Sequence, residues 1–195
     1  MATKLSDSGL RFISSWSIYS DTLYKVETNY SINRKFLGFF DGDVLSSFLS
    51  LYKANEELEI TTEEESLLCL RSSLNKVAFN LVTDFGFEKF NQNQFDALIS
   101  LLTVDSRESN FYDTFKHSEL YKILKTDASD PVISDLIIKY KGNIDLENSG
   151  AFYSFADRRL AEADLYVSGV YNNCTNLLFE QRIVDGVKVF YSASS

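Results

Sequence analysis

The segment that most constrains this sequence is 91–102, which reads as an amphipathic helix with an unusually wide apolar face. The spacing i, i+3, i+4, i+7 that marks one face of an α-helix is met by Phe95, Leu98, Ile99 and Leu102. Ala97 and Leu101 widen that face, so we expect other helices to enclose most of this one. Asn91 or Asn93 can cap its start by accepting from free backbone amides.

Similar patterns along the rest of the chain predict an α+β, mainly α, protein. Helices are predicted over about 10–20, 62–81, 111–124, 132–140 and 155–167. In the first and last of these, the predicted inward residues are Leu10, Phe12, Ile13, Trp16, Leu160 and Leu165. Alternation over 23–40 predicts two or three short strands. The runs Leu177–Val184 and Val187–Tyr191, separated by Asp185-Gly186, predict a C-terminal β-hairpin.

Composition excludes several classes of function. A net charge of −9 opposes binding to nucleic acid and to anionic membranes. With two cysteines and one histidine, the chain offers neither a disulfide framework nor a clustered metal site, and we expect no cofactor. Its apolar runs are too short to insert into a bilayer, and the N-terminal stretch has no recognisable signal peptide. We therefore expect a protein made in the cytoplasm.

Four stretches together resemble the phage-type lysozymes, the muramidases of the T4 lysozyme and endolysin kind. They are Ser8–Trp16, Ile60–Leu68, Asn91–Leu98 and Phe155–Glu162, which look like the motifs G-L-x-x-I, I-T-x-E-E, T-Q-N-Q-F-D-A-L and R-R-x-x-E. The resemblance implies a two-lobed fold, in which a small β-lobe and a helical lobe flank a cleft. It implies a lysozyme-like domain over 1–168, followed by an extension over 169–195 that carries the predicted hairpin.

The resemblance also shows where this chain departs from the family. The family's catalytic glutamate falls on Ser17, and the glycine after it falls on Ile18. The second acidic position falls on Val26, and the threonine of the strand motif falls on Ser31 if one residue is dropped, or on Ile32 without a gap. Glycoside hydrolysis needs a carboxylic acid that protonates the leaving oxygen and a second carboxylate. A serine cannot supply that proton, so the resemblance implies a degenerate site with no working catalytic residue.

Other acidic residues lie near the lost positions and could replace them. Asp21 comes four residues after Ser17, one turn along if the first helix continues that far, and Glu27 adjoins Val26. Each is also explained as a solvated carboxylate. His117 could act as a base, but no serine or cysteine is recognisably paired with it, and a surface histidine explains it more simply. The residues that the resemblance places along the cleft are Ile18, Tyr19, Tyr30 and Asn33.

Two classes of function follow from the sequence. The first is a catalytically inactive lysozyme-like protein that serves as a binding or structural module of a phage particle or a phage-derived secretion machine. This interpretation predicts a protein partner and is compatible with residual peptidoglycan binding; the sequence leaves the final location open, with a virion or a secretion apparatus as options. The hairpin could supply the partner with an edge strand. The alternative is a diverged peptidoglycan muramidase with a relocated acid pair. A third option is a regulator or inhibitor that occupies another protein's glycan-binding groove.

Overall fold

The computed structural model describes residues 4–27, 35–40, 62–103, 111–141, 155–175, 179–184 and 186–192, and for 18–27 and 35–40 it describes the backbone only. The described elements, in chain order, are α1 (Asp7–Ser15), β1 (Ile18–Glu27), β2 (Lys35–Phe40), α2 (Glu63–Phe85), α3 (Gln92–Thr103), α4 (Phe111–His117), α5 (Glu119–Thr126), α6 (Val132–Lys139), α7 (Phe155–Ser168), β3 (Phe179–Val184) and β4 (Val187–Ser192). This is the α+β, mainly α, class that the sequence predicts.

Helix α3 lies at the centre of the helical part, as its wide apolar face predicts. Every residue from Phe95 to Thr103 is buried, including the polar Asp96 and Ser100. Its start is fixed by a reciprocal cap in which Asn91 Oδ1 accepts from the Gln94 amide at 2.9 Å and Gln94 Oε1 accepts from the Asn91 amide at 3.0 Å. A helix enclosed on all sides positions every element that packs against it.

Helix α1 is shorter than its pattern predicts. The predicted inward residues Leu10, Phe12, Ile13 and Trp16 are all buried. The helix nevertheless ends at Ser15, and the prediction that it runs to about Ser20 is wrong. The amides of Trp16 and Ser17 reach back only three residues, to the carbonyls of Ile13 and Ser14, so the last turn tightens. From Ile18 onward the backbone pairs with β2 instead.

Two further helices differ from their predictions. The predicted helix over 111–124 is two helices, because Ser118 interrupts it and caps α5 by accepting from the Tyr121 amide at 3.1 Å. In α7, Leu165 is buried as predicted, but Leu160 is 50% exposed. The buried face of α7 instead carries Arg158, Arg159 and Glu162, so hydrophobicity alone gave the wrong face at this point.

The strands form one four-stranded sheet in the order β2-β1-β4-β3. β1 pairs antiparallel with β2 on one side and parallel with β4 on the other. β3 and β4 form the predicted C-terminal hairpin, in which Val184 pairs with Val187 across the two intervening residues. The hairpin therefore extends the sheet that begins directly after α1. Of the four strands, β2 and β3 lie at the two edges.

Candidate functional site

The position where the resemblance places a catalytic acid lies between α1 and β1. Ser17 is only 9% exposed, and its backbone amide donates to the Ser14 carbonyl at 3.0 Å. The neighbouring Trp16 is buried and contacts Phe12 edge-on, with ring centroids 6.3 Å apart. A short hydroxyl at a nearly buried position can donate or accept a hydrogen bond. It cannot act as a general acid near neutral pH, because a serine hydroxyl holds its proton too tightly.

The other sequence-predicted site residues lie on or after β1. Strand β1, whose backbone the structure describes, contains Ile18, Tyr19, Asp21, Val26 and Glu27. The pairing with β2 is irregular between Ser20 and Tyr24, where Asp21 lies. The remaining three predicted residues, Tyr30, Ser31 and Asn33, lie outside the described residues.

The helical relation proposed between Ser17 and Asp21 does not exist. Four residues of extended chain cover about 13 Å, whereas one helical turn would have covered about 6 Å. Asp21 is therefore not stacked one turn above Ser17, because α1 has already ended. A role for Asp21 and Glu27 as replacement acids stays a prediction that depends on the strand and not on the helix.

The segment between α7 and β3 contacts α1 close to Ser17. The Cys174 amide donates to Ser15 Oγ at 3.0 Å, and the Tyr171 ring meets the Phe12 ring edge-on. Gly169 starts this segment with φ +74° and lies so close to the Asn93 side chain that a Cβ atom would clash with it. The C-terminal segment thus runs along α1 before it enters the sheet.

A buried carboxylate ties that segment to α3. Asp96 Oδ1 accepts from the Ser6 amide at 3.1 Å and from Gln92 Nε2 at 2.8 Å, and Oδ2 accepts from the Ser6 and Tyr171 hydroxyls, the latter at 2.8 Å. Burial, together with the hydrogen bond and charge of Asp96, raises the pKa of Tyr171 to about 12, although a hydrogen bond with Ser6 acts in the opposite direction. One carboxylate therefore joins the start of α1, α3 and the C-terminal segment.

A second buried carboxylate organises α7 against α3. Glu162 Oε1 accepts from Ser100 Oγ at 2.6 Å and from Arg158 Nε at 3.0 Å, while Oε2 pairs with Arg159. Arg158 also donates to the Ser100 carbonyl at 3.2 Å, and Arg159 Nε donates to the Tyr140 carbonyl at 3.0 Å. All three charged side chains are fully buried. Hydrogen bonds offset the cost of removing these charges from water.

The carboxylates of Asp96 and Glu162 stabilise the core, and the sequence patterns did not predict that they would be buried. Asp96 and Glu162 are the buried acidic residues of the described part of the chain, and both are occupied by several donors. The available signal was spacing, since Glu162 lies four and three residues after the two arginines, which places all three on one helix face. The link from Asp96 to Tyr171 joins distant segments and left no local signal.

Three further features bear on function: the single histidine, groups that could bind a metal ion, and helices that could cross a membrane. His117 ends α4 on the surface, with Nδ1 2.7 Å from the Asp113 carbonyl oxygen. Across the described residues, no group of three or more His, Cys, Asp or Glu side chains could hold a metal ion. Within the same residues, no helix has the length and apolar character needed to cross a bilayer.

Comparison with known proteins gives a match in structure alone. No protein-family model matches this chain, and no curated protein sequence is similar enough to count as a relative. The endolysin of Escherichia coli O157:H7 phage FAHEc1 superposes with a TM-score of 0.63 at 18% identity, covering 88% of this chain and 98% of the endolysin. A point mutant of P22 lysozyme superposes with a TM-score of 0.59 at 17% identity, covering 85% and 99%. The chain therefore has the fold of the phage lysozymes and endolysins.

Proposed function

We propose that this chain is a lysozyme-like protein that no longer cleaves glycan and serves as a binding or structural module. The observation that carries the proposal is Ser17, which stands nearly buried at the end of α1 where the resemblance requires a carboxylic acid. General acid–base help contributes about 10²–10⁴-fold to such reactions. A scaffold without that acid keeps a surface for binding and loses most of its turnover.

The buried carboxylates do not restore the missing group. Asp96 and Glu162 each accept several hydrogen bonds inside the core, so neither is free to deliver a proton to a substrate. Both lie in parts of the sequence that resemble the family closely. The chain thus combines a well-supported scaffold with an altered acid position, which is the pattern expected when a fold is kept for purposes other than catalysis.

A hydrolysis assay tests this proposal. Purified protein should not clear a suspension of peptidoglycan, and Ser17→Glu alone should not restore full activity, because the position of the second acid is occupied by Val26. The matched control is Ser14→Glu, which places the same charge three residues earlier, where the replaced hydroxyl donates to the Arg11 carbonyl of its own helix at 3.0 Å. Restoration of full clearing by Ser17→Glu would show that the rest of the site is intact and would contradict the loss of the second acidic position.

The second candidate function is a diverged muramidase that uses Asp21 and Glu27. It is favoured by one observation, that both residues lie on β1, the strand that starts directly after Ser17. Under this alternative the wild-type protein clears peptidoglycan, and Asp21→Ala or Glu27→Ala abolishes the clearing. Under the favoured proposal there is no clearing to abolish.

We further propose a phage-related setting and a protein partner. The proteins that share this fold include a phage endolysin and a phage lysozyme, which supports an origin in a phage particle or a phage-derived secretion machine. Co-purification from the native host tests the setting: recovery with virion or secretion-apparatus proteins is expected. Recovery of the chain alone, on peptidoglycan sacculi, would instead favour a purely glycan-binding role.

A further inference from the structure

The outer strand of the C-terminal hairpin, β3, is paired along one side, and its other side forms an edge of the described sheet. In the sheet order β2-β1-β4-β3, the described partner of β3 is β4 alone. Residues 181–184 are all exposed, with Ile183 at 73% and Val184 at 45%. An edge strand that combines exposed apolar residues with unpaired backbone groups is the type of surface on which another strand adds.

The hairpin register determines which backbone groups of β3 face outward. Val184 and Val187 flank a two-residue connection, so they form a hydrogen-bonded pair. Hydrogen-bonded and non-hydrogen-bonded pairs then alternate along the hairpin. The backbone amides and carbonyls that bond to β4 are therefore those of Val184, Arg182 and Glu180. The amides and carbonyls of the alternate residues, Phe179, Gln181 and Ile183, point away from β4 to the outer edge.

The sequence of β3 is self-complementary about its outward residue Gln181. If two copies of β3 run antiparallel with Gln181 opposite Gln181, Phe179 of one copy lies opposite Ile183 of the other. Glu180 of one copy then lies opposite Arg182 of the other, and the symmetry repeats both pairs. This register uses only outward-facing groups for its backbone hydrogen bonds.

The two neighbouring β3–β3 registers in which outward-facing backbone groups also bond to each other are unfavourable. A shift in one direction places Glu180 opposite Glu180, and a shift in the other places Arg182 opposite Arg182. Like charges directly opposite each other destabilise a strand pair, whereas opposite charges and apolar pairs stabilise it. Of these three registers, only the one centred on Gln181 places opposite charges together.

We propose that the occupant of this edge is a second copy of the chain, and that two copies associate through antiparallel β3–β3 pairing about a two-fold axis at Gln181. Such an interface is isologous, since the same strand is used by both copies. The sheets of the two copies become continuous across the axis. The association is independent of whether the protein cleaves glycan, because it uses the hairpin and not the position of Ser17.

Charge-swap variants test the proposal on the full chain. Sedimentation velocity over a series from about 1 μM to about 1 mM covers the dissociation constants of weak and moderate pairs. We expect a concentration-dependent dimer for the wild type and its loss in Glu180→Arg and in Arg182→Glu, since each swap places like charges opposite each other. The double variant Glu180→Arg/Arg182→Glu should dimerise again, which also shows that the swapped hairpin still folds.

Two further variants separate this interface from general charge effects. Lys122→Glu changes an exposed residue of α5 by the same charge as Arg182→Glu and should leave the dimer unchanged. Gln181→Pro removes an amide that the symmetric pair uses and that the hairpin does not, so it should abolish the dimer. A wild type that stays monomeric throughout the series would overturn the proposal, as would a double variant that fails to recover.

Discussion

The helical core around α3 and the junction after α1 differ in how they use polar residues. In the core, Asp96 and Glu162 are fully buried, and each accepts hydrogen bonds from at least one other segment of the fold. At the junction, Ser17 replaces the acid that the resemblance predicts. Under the proposed function, the polar residues that stabilise the packing are present, whereas the residue needed for catalysis is absent.

Removing the charge of Glu162 should destabilise the helical core severely. Glu162→Gln leaves Arg158 and Arg159 without the carboxylate that both contact in the core. Removing one partner of a buried ion pair costs about 3–5 kcal/mol of unfolding free energy. Urea denaturation followed by circular dichroism measures the loss. Asp164→Asn, an exposed change on the same helix, is the control and should stay within about 0.5 kcal/mol.

A change at Gly9 tests the buried carboxylate of Asp96 by steric means. A Cβ atom on Gly9 would lie 2.5 Å from Asp96 Cγ and 2.8 Å from Leu5 Cδ1. Asp96 is held by several hydrogen bonds and cannot move aside freely, so Gly9→Ala should cost about 1–3 kcal/mol through overpacking. Thermal denaturation should show a clear fall in Tm, while Ser8→Ala, an exposed change on the same helix, should show none. A stable Gly9→Ala variant would mean that the Asp96 network is loose.

A smaller loss of unfolding free energy is expected from a change at Tyr171, which joins the C-terminal segment to Asp96. Tyr171→Phe removes the hydroxyl that donates to Asp96 Oδ2 and should cost about 1 kcal/mol at neutral pH. Urea denaturation measures this loss. If the C-terminal segment contributed nothing to the core, the variant would match the wild type.

The contribution of Tyr171 to stability should also depend on pH. The pKa of Tyr171 is about 12 in the folded protein and near 10 when unfolded, so the unfolded state releases this proton first. The folded state therefore loses stability as pH rises from about 10 towards 12. Burial also raises the pKa of Tyr166 and Tyr112, which add to the loss. Tyr171→Phe should show a shallower decline than the wild type.

Local patterns were enough to predict most of the helical core and the hairpin. The spacing in 91–102 predicted a helix enclosed on most sides, and Asp185-Gly186 predicted the turn, because both features depend on neighbouring residues. The end of α1 was predicted too late, since pairing with β2 decides it and this pairing lies far along the chain. Leu160 was placed on the wrong face because buried arginines, paired with Glu162, occupy the inner one.

The candidate site was less predictable than the fold. The resemblance directed attention to Ser17, which lies two residues after the end of α1, and its role stays a prediction. The parallel pairing of β4 with β1 and the contact of Cys174 with Ser15 could not be predicted, because each depends on residues more than 150 positions apart in the sequence. Such contacts leave no periodicity for a single sequence to reveal.

Analysis of the reaction products decides whether this protein has lost its hydrolytic acid. Purified peptidoglycan incubated with the wild-type protein would be separated by liquid chromatography, and any released muropeptides identified by mass. We predict no release above that of buffer alone. Sustained release of cleaved disaccharide-peptides, abolished by Asp21→Ala or by Glu27→Ala, would contradict the account.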